Sequence, residues 1–233
     1  MLERAQKVAV DAALEAGRAI RGYYKDEYTV RDKGQDNPLT DADLASDAIL
    51  ADRLQSAFPD FGWLSEETVD TPERLGRENA WIVDPLDGTR EFTLGIPEFV
   101  VSVGLVVRGK AMVGVLYNPI EDLLFSGLVG KGATLNGEPV SVTGKDVLEG
   151  ARIVCSRTEM KKGWFDDMSD VVPMPVGSVA YKFGLVAAGR AEATFTPRPR
   201  NEWDICAGVA LVEAAGGRTS NRLGQAYTFN NAD

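Results

Sequence analysis

Four short stretches place carboxylates and hydroxyls where a folded chain could use them. In the run from Trp81 to Phe92 (WIVDPLDGTREF), an apolar segment delivers Asp84 at its end. Pro85 and Gly88 then force a tight turn that returns Asp87 and Thr89 beside it. Two carboxylates about 4 Å apart, at an effective dielectric near 20, repel by roughly 4 kcal/mol. A bound cation would offset that cost, and oxygen-only donors suit Mg2+, Mn2+ or Ca2+. Asp, Pro and Gly are also ordinary turn residues, so the spacing alone fits an Asp-rich turn equally well. Ser65, Glu66 and Glu67 follow a second apolar run and read as ligands or as an exposed acidic loop. Trp203 and Asp204 open a helix, where an aspartate serves as a cap or dipole partner. Thr40 and Asp43 open another, with the spacing of a capping box.

The 233 residues include no histidine. A Ser-His-Asp triad, a Cys-His pair and a histidine-bound zinc site are thereby excluded. Any hydrolysis must rest on carboxylates, hydroxyls, lysine or a hard metal ion. The formal charge of −10 repels a nucleic-acid backbone and argues against a nucleic acid polymer as partner. A small phosphorylated metabolite stays compatible, because a bound cation reverses the local field. Cys155 and Cys206 occupy unrelated contexts and read as reduced, buried thiols. No apolar run reaches membrane-spanning length, and the acid-bearing N-terminus lacks the layout of a secretory signal. No membrane partner and a cytoplasmic location are therefore expected.

The elements that must position these groups follow from periodicity. Ala5, Val8, Ala9, Ala12, Ala13, Ala16 and Ile20 recur at helical spacing and predict a helix over 3–22. A loop or hairpin is expected over 31–38. A second helix is expected from Thr40 to Phe58, with Leu44, Ala45, Ala48, Ile49 and Leu54 as its apolar stripe. Runs at 80–84, 101–107, 112–117 and 123–129, with a turn at Asn136-Gly137, predict an antiparallel meander. Beyond 151 come a strand (152–155), a helix (178–188), a strand (193–196) and a helix (204–215) stopped by Gly216 and Gly217. The chain reads as one α+β domain over 1–233. Its N-terminal part (1–145) carries most site residues, and its C-terminal part (146–233) is more alternating.

Taken together, the four acidic stretches carry a resemblance. Asp84–Phe92 (DPLDGTREF) closely resembles the metal-binding signature of the inositol monophosphatase superfamily. Trp203–Gly217 (WDICAGVALVEAAGG) is similar to its second signature, and the segments at 65–67 and 40–43 match two shorter elements, all in the family's order. The resemblance spans about residues 1–217. It implies a layered αβαβα fold and a Mg2+-dependent, lithium-sensitive phosphomonoesterase. It implies that Glu66, Asp84 and the carbonyl of Leu86 hold one Mg2+, and that Asp84, Asp87 and Asp204 hold a second. A third, weaker ion would lean on Glu66. Mn2+ is the alternative metal, with Li+ and Ca2+ as inhibitors. Among the catalytic residues Thr89, Asp43 and Glu66, Thr89 would orient the attacking water and pass its proton toward Asp43. Gly88 and Thr89 would present backbone N–H groups to the phosphate. A homodimer is compatible with the resemblance.

The substrate is read from departures. Inositol monophosphatases place a glutamate that contacts sugar hydroxyls seven residues before the second-signature aspartate; here that position is Pro197. Ser178 and Lys182 resemble the Gly-Ser-x-x-x-Lys stretch of 3′(2′),5′-bisphosphate nucleotidases, and Ser156-Arg157 is similar to another of their elements. Arg198 adds a cation that would suit a second phosphate, although such cations also serve as ordinary surface charges. The expectation therefore leans to the nucleotidase branch, with Ser178, Lys182 and Arg198 as substrate contacts. The alternative is an inositol-1-phosphate or other sugar phosphatase, fructose-1,6-bisphosphate included. Of another class altogether would be a non-catalytic metal-binding interaction protein. Family members usually continue beyond the second signature, so either the chain is compact or its C-terminus is trimmed.

Overall fold

The computed structural model describes residues 1–32, 34, 38–196 and 198–232. It opens with α1 (Leu2–Tyr23), where Ala5, Ala9, Ala12, Ala13, Ala16 and Ile20 are buried as the stripe predicts and Val8 packs at its margin. A hairpin of β1 (Val30–Asp32) and β2 (Pro38–Thr40) follows; of its tip, Lys33 and residues 35–37 lie outside the described residues.

The next helix, α2 (Asp41–Ala57), has the expected bounds but a different inward face. Its buried residues are Ala42, Asp43, Ser46, Leu50 and Leu54, while Leu44 is exposed. Only Leu54 of the expected stripe is fully buried. The reason is that the helix turns polar side chains inward. Ser46 Oγ donates to the Pro85 carbonyl at 2.7 Å, and Asp47 accepts from Ser65 Oγ at 2.6 Å. A periodicity search counts only apolar residues and rotates such a face outward.

The large sheet is built from β3 (Gly62–Ser65), β4 (Asn79–Asp87), β5 (Val100–Val107), β6 (Lys110–Asn118), β7 (Leu123–Leu128), β8 (Gly132–Leu135) and β9 (Glu138–Val140), in that spatial order. From β4 to β9 it is the expected antiparallel meander. Asn136 and Gly137 join β8 to β9 with positive φ at both positions, as a tight hairpin turn requires. The unexpected strand is β3, which pairs parallel to β4. Four residues are too few to show a period.

A short helix, α3 (Thr89–Thr93), interrupts the meander between β4 and β5. The second half adds β10 (Ala151–Cys155), α4 (Arg157–Lys161), β11 (Val171–Pro175), α5 (Val179–Ala187), β12 (Ala193–Thr194) and α6 (Glu202–Ala214). Its three strands form a parallel sheet in the order β11-β10-β12. Pro173 and Pro175 argue against a strand at β11, and the chain tolerates them because β11 is an edge.

Layering follows from which faces are apolar. Helices α1 and α2 pack on one face of the large sheet, and α5 and α6 lie on the other. The small sheet contacts α5 in turn, and the segment from α4 to Met168 covers part of it through Met160, Trp164 and Phe165. The result is the expected mixed α+β layered architecture. One close approach matters for the site. Gly104, Gly114 and Gly127 stand opposite one another on β5, β6 and β7. A Cβ on Gly114 would lie 2.1 Å from the Ala207 carbonyl oxygen. These glycines form a trough in which α6 rests against the sheet.

Candidate active site

The site forms where β4 ends. Residues three apart on a regular strand point to opposite faces, so Asp84 and Asp87 would diverge. They do not, because the β4–β5 register slips between them: Asp84 faces Ser102, whereas Asp87 faces Val100. This bulge, at Pro85 and Leu86, re-aims the strand end. Leu86 N–H donates to Asp84 Oδ1 at 3.0 Å, and the Pro85 carbonyl is held by Ser46. Gly88 follows at φ +105, where a Cβ would strike the Glu98 carbonyl and Phe99. That turn starts α3 and sets Thr89 beside the carboxylates.

The rest of the chain closes on this point. Oxygens of Asp84, Asp87 and Asp204 all lie within 4.8 Å of one another. Glu66, just past β3, stands close enough to Asp84 to hydrogen-bond with it and to bear electrostatically on Asp87 and Asp204. Asp204 is the third residue of α6, whose N-cap is Asn201; the Asn201 N–H donates to Asp204 Oδ2 at 3.1 Å. Its capping role and its place in the cluster coexist. Helix α6 begins two residues earlier than periodicity suggests because the cap precedes the apolar stripe.

Charge is concentrated here at a cost. Burial first, then the charges of Glu66, Asp87 and Asp204, hold Asp84 well above the usual carboxylate range. Burial likewise raises Asp87, although hydrogen bonds from Ser178 Oγ (2.6 Å) and the Ala180 N–H oppose the shift. Burial and the neighbouring Asp87 push Asp204 up to about 7. Carboxylates so placed hold either protons or a cation, and the all-oxygen donor set fits a hard divalent ion. Asp84, Asp87 and Asp204 could hold one between them, with Glu66 beside Asp84 as a further donor.

Beside the cluster, Thr89 Oγ1 lies 2.9 Å from Asp43 Oδ1 and 3.0 Å from the Leu86 carbonyl oxygen, both acceptors for its proton. Asp43 Oδ2 in turn accepts from Thr40 N–H (2.8 Å) and Thr40 Oγ1 (2.5 Å). The capping box is therefore real, and the same aspartate also faces Thr89. Sequence reasoning passed over Ser46 and Asp47; their signal was their helical spacing from Asp43, one polar face at i+3 and i+4.

The residues expected to contact substrate are dispersed. Ser178 is buried, with its hydroxyl committed to Asp87 and to the Tyr181 N–H. Lys182 is 2% exposed and feels the charges of Glu159 and Asp87, and burial lowers its pKa. Lys182 and Arg198 line a cavity of about 600 Å3, along with Arg200, Thr194 and Phe183. Arg198 is exposed at its wall, and Pro197 lies outside the described residues. The acidic cluster does not line this cavity.

Comparisons with known proteins point to one family. The Inositol monophosphatase family profile matches residues 1–233. The chain is 36% identical over 229 residues to inositol monophosphatase 3 of Solanum lycopersicum, covering 93% of this chain and 85% of that one. The crystal structure of the extragenic suppressor protein suhB from Bartonella henselae superposes with a TM-score of 0.84 at 32% identity, covering 94% and 88%. The inositol monophosphatase of Anabaena (Nostoc) sp. PCC 7120 gives 0.79 at 31%, covering 93% and 83%. The lean toward a bisphosphate nucleotidase finds no support in these relatives, and the inositol-phosphate alternative is better supported. No helix among the described residues is long and apolar enough to cross a membrane. The acidic cluster at the end of β4, its Thr89–Asp43 neighbour and these likenesses together identify the chain as a member of the inositol monophosphatase family, metal-dependent enzymes that hydrolyse phosphate monoesters.

Proposed function

We propose that the chain is a cytoplasmic Mg2+-dependent phosphatase of a small soluble sugar or cyclitol phosphate, with inositol 1-phosphate as the favoured substrate. The observation that carries this reading is the meeting of Asp84, Asp87 and Asp204 from two distant segments, with Thr89 and Asp43 at its edge. In this assignment Glu66, Asp84 and the Leu86 carbonyl hold one Mg2+, and Asp84, Asp87 and Asp204 a second. A third ion leans on Glu66, Mn2+ serves as substitute, and Li+ and Ca2+ inhibit. When bound, such ions neutralise phosphate charge and make water a better nucleophile at neutral pH.

The chain's own residues supply the proton path. A water hydrogen-bonded to Thr89 Oγ1 loses its proton to that oxygen as the Thr89 proton passes to Asp43 Oδ1. Asp43 is held in place for this by both Thr40 donors. Gly88 and Thr89 offer backbone N–H groups to the phosphate. Glu66 joins Thr89 and Asp43 in the catalytic set.

Thr89→Ala is expected to lower kcat by about 10²-fold or more while leaving the Mg2+ half-saturation within a few-fold. Steady-state kinetics across a Mg2+ titration reads both quantities, and a change confined to KM would remove Thr89 from the proton path.

A second substrate reading keeps a specific observation behind it. Among the described residues the buried Lys182 ammonium has no hydrogen bond or ion pair, and it faces the cavity that Arg198 and Arg200 share. A substrate bearing a second phosphate would pair with these cations, with Ser178, bonded to Asp87, next in the chain to the cavity-lining Val179. The deciding measurement is kcat/KM for inositol 1-phosphate, fructose 1,6-bisphosphate and adenosine 3′,5′-bisphosphate, each with and without Mg2+. Highest efficiency on inositol 1-phosphate is expected. A preference of tenfold or more for the nucleotide would install the second reading. No turnover on any phosphomonoester would favour a non-catalytic binding protein.

A further inference from the structure

Asp87 is held by groups that themselves need holding. Its Oδ2 accepts from the Ser178 hydroxyl at 2.6 Å and from the Ala180 N–H, both at the start of α5. That start is an unfavourable piece of backbone. Ser178 sits at φ +58, a left-handed value that a residue with a Cβ adopts at a cost. Gly177 before it is pressed against α3, so that a Cβ there would lie 2.3 Å from the Glu91 side chain. Something must fix this turn. The Gly177 N–H donates to Glu98 Oε2 at 2.6 Å. Glu98 is gripped in turn by the Arg157 guanidinium, with Nη1 on Oε2 and Nη2 on Oε1, each at 2.7 Å. Arg157 Nη1 also approaches Glu91 at 3.8 Å, two residues beyond Thr89. The path joins three remote parts of the chain: the loop before β5, the first residue of α4, and the turn before α5.

We propose that Arg157 and Glu98 are positioning residues for metal binding. Their two-pronged ion pair fixes the Gly177 N–H, and thereby the two donors that aim the Asp87 carboxylate. The inference rests on reading Asp87 as a metal ligand. Arg157 suits the task because a planar guanidinium grips both carboxylate oxygens at once, which an ammonium does not. Groups that orient a metal ligand without touching the metal are commonly worth 10- to 100-fold in metal affinity.

The test is direct Mn2+ binding, followed through the spectrum of free aqueous Mn2+ by electron paramagnetic resonance, with thermal unfolding of each variant in chelator alongside. Arg157→Ala and Glu98→Gln are each expected to weaken Mn2+ binding by about tenfold. The double variant should be little worse than either single one, because the two act as one unit. Arg157→Lys should recover part of the loss. Arg152→Ala, which breaks a comparable ion pair with Glu192 away from this path, should leave Mn2+ affinity unchanged. If Arg157→Ala fails to fold, Glu98→Gln and Arg157→Lys carry the test. Mn2+ affinity within twofold of wild type in both, whatever their thermal stability, overturns the proposal. A wild-type protein that takes up no Mn2+, or an Asp87→Asn variant that binds it as tightly, instead overturns the metal-ligand reading of Asp87.

Discussion

Asp84→Asn is expected to lower kcat/KM by at least about 10³-fold while making the metal-free protein more stable near pH 8. The first effect follows from the position of Asp84, at the centre of the acidic cluster and in contact with Glu66, Asp87 and Asp204 through charge. Removing one anionic donor weakens the hold on any divalent cation, whose contribution to catalysis is worth several kcal/mol; each 1.36 kcal/mol is about tenfold in rate. The second effect has the opposite sign because Asp84 is buried among like charges. An amide keeps the shape and the acceptor oxygen for the Leu86 N–H but removes the repulsion. Steady-state kinetics on a phosphomonoester and thermal melts in chelator measure the two together. A variant that loses activity and stability alike would mean that Asp84 matters for folding rather than for holding a cation.

The second large effect concerns pH. Asp84, Asp87 and Asp204 have folded-state pKa values above those of an unfolded chain, Asp204 at about 7. A carboxyl raised on folding binds a proton in the folded state that the unfolded state has released. Stability in chelator is therefore expected to fall as pH rises from about 5 to 8, through the window between the unfolded value near 3.9 and the folded one. The loss should be on the order of a few kcal/mol. The carboxylates with lowered values, such as Asp70 beside Arg74 and Glu98 beside Arg157, act oppositely, but their contribution is complete by about pH 5. No histidine titrates in this window, because the chain has none. Saturating Mg2+ should flatten the slope. At 100 times its dissociation constant it would add about 2.7 kcal/mol, or roughly 5–10 °C in Tm for a chain of this size. Calorimetry or fluorescence melts at pH 5, 6.5 and 8, with Mg2+ and with chelator, give the answer. A chelated protein whose Tm is level or rises across that range would contradict the arrangement of charge described above.

Both expectations draw on features with different legibility in the sequence. The acidic residues were visible as types, and Thr40 with Asp43 does form the expected capping box, whereas Asp204, read as a cap or dipole partner, is the third residue of α6 and accepts from the N–H of the N-cap Asn201. A capping reading did not compete with a site reading, because one carboxylate has two oxygens and several lone pairs. Asp43 uses Oδ2 toward Thr40 and Oδ1 toward Thr89. The inward face of α2 was misplaced for a related reason. Apolar periodicity assumes that burial selects hydrocarbon, and around a charged cluster burial selects hydrogen-bonding partners such as Ser46 and Asp47. Strand β11 was hidden by its prolines, which cost little at an edge, and β3 by its brevity.

By itself the sequence determined the alternation of helix and strand and the meander, since both are written in local periodicity. It also excluded imidazole chemistry, and the order of its acidic motifs carried the family resemblance. The resemblance implied that carboxylates over a hundred residues apart share one point, but only tertiary structure could bring Asp84, Asp87 and Asp204 there. That convergence depends on a one-residue bulge at the end of β4 and on a glycine trough that seats α6 against the sheet. It also brings Glu98, Arg157 and Gly177 together around Asp87. None of these is a local property: a bulge is defined by the partner strand's register, and a close helix approach by the absence of a side chain on the surface opposite.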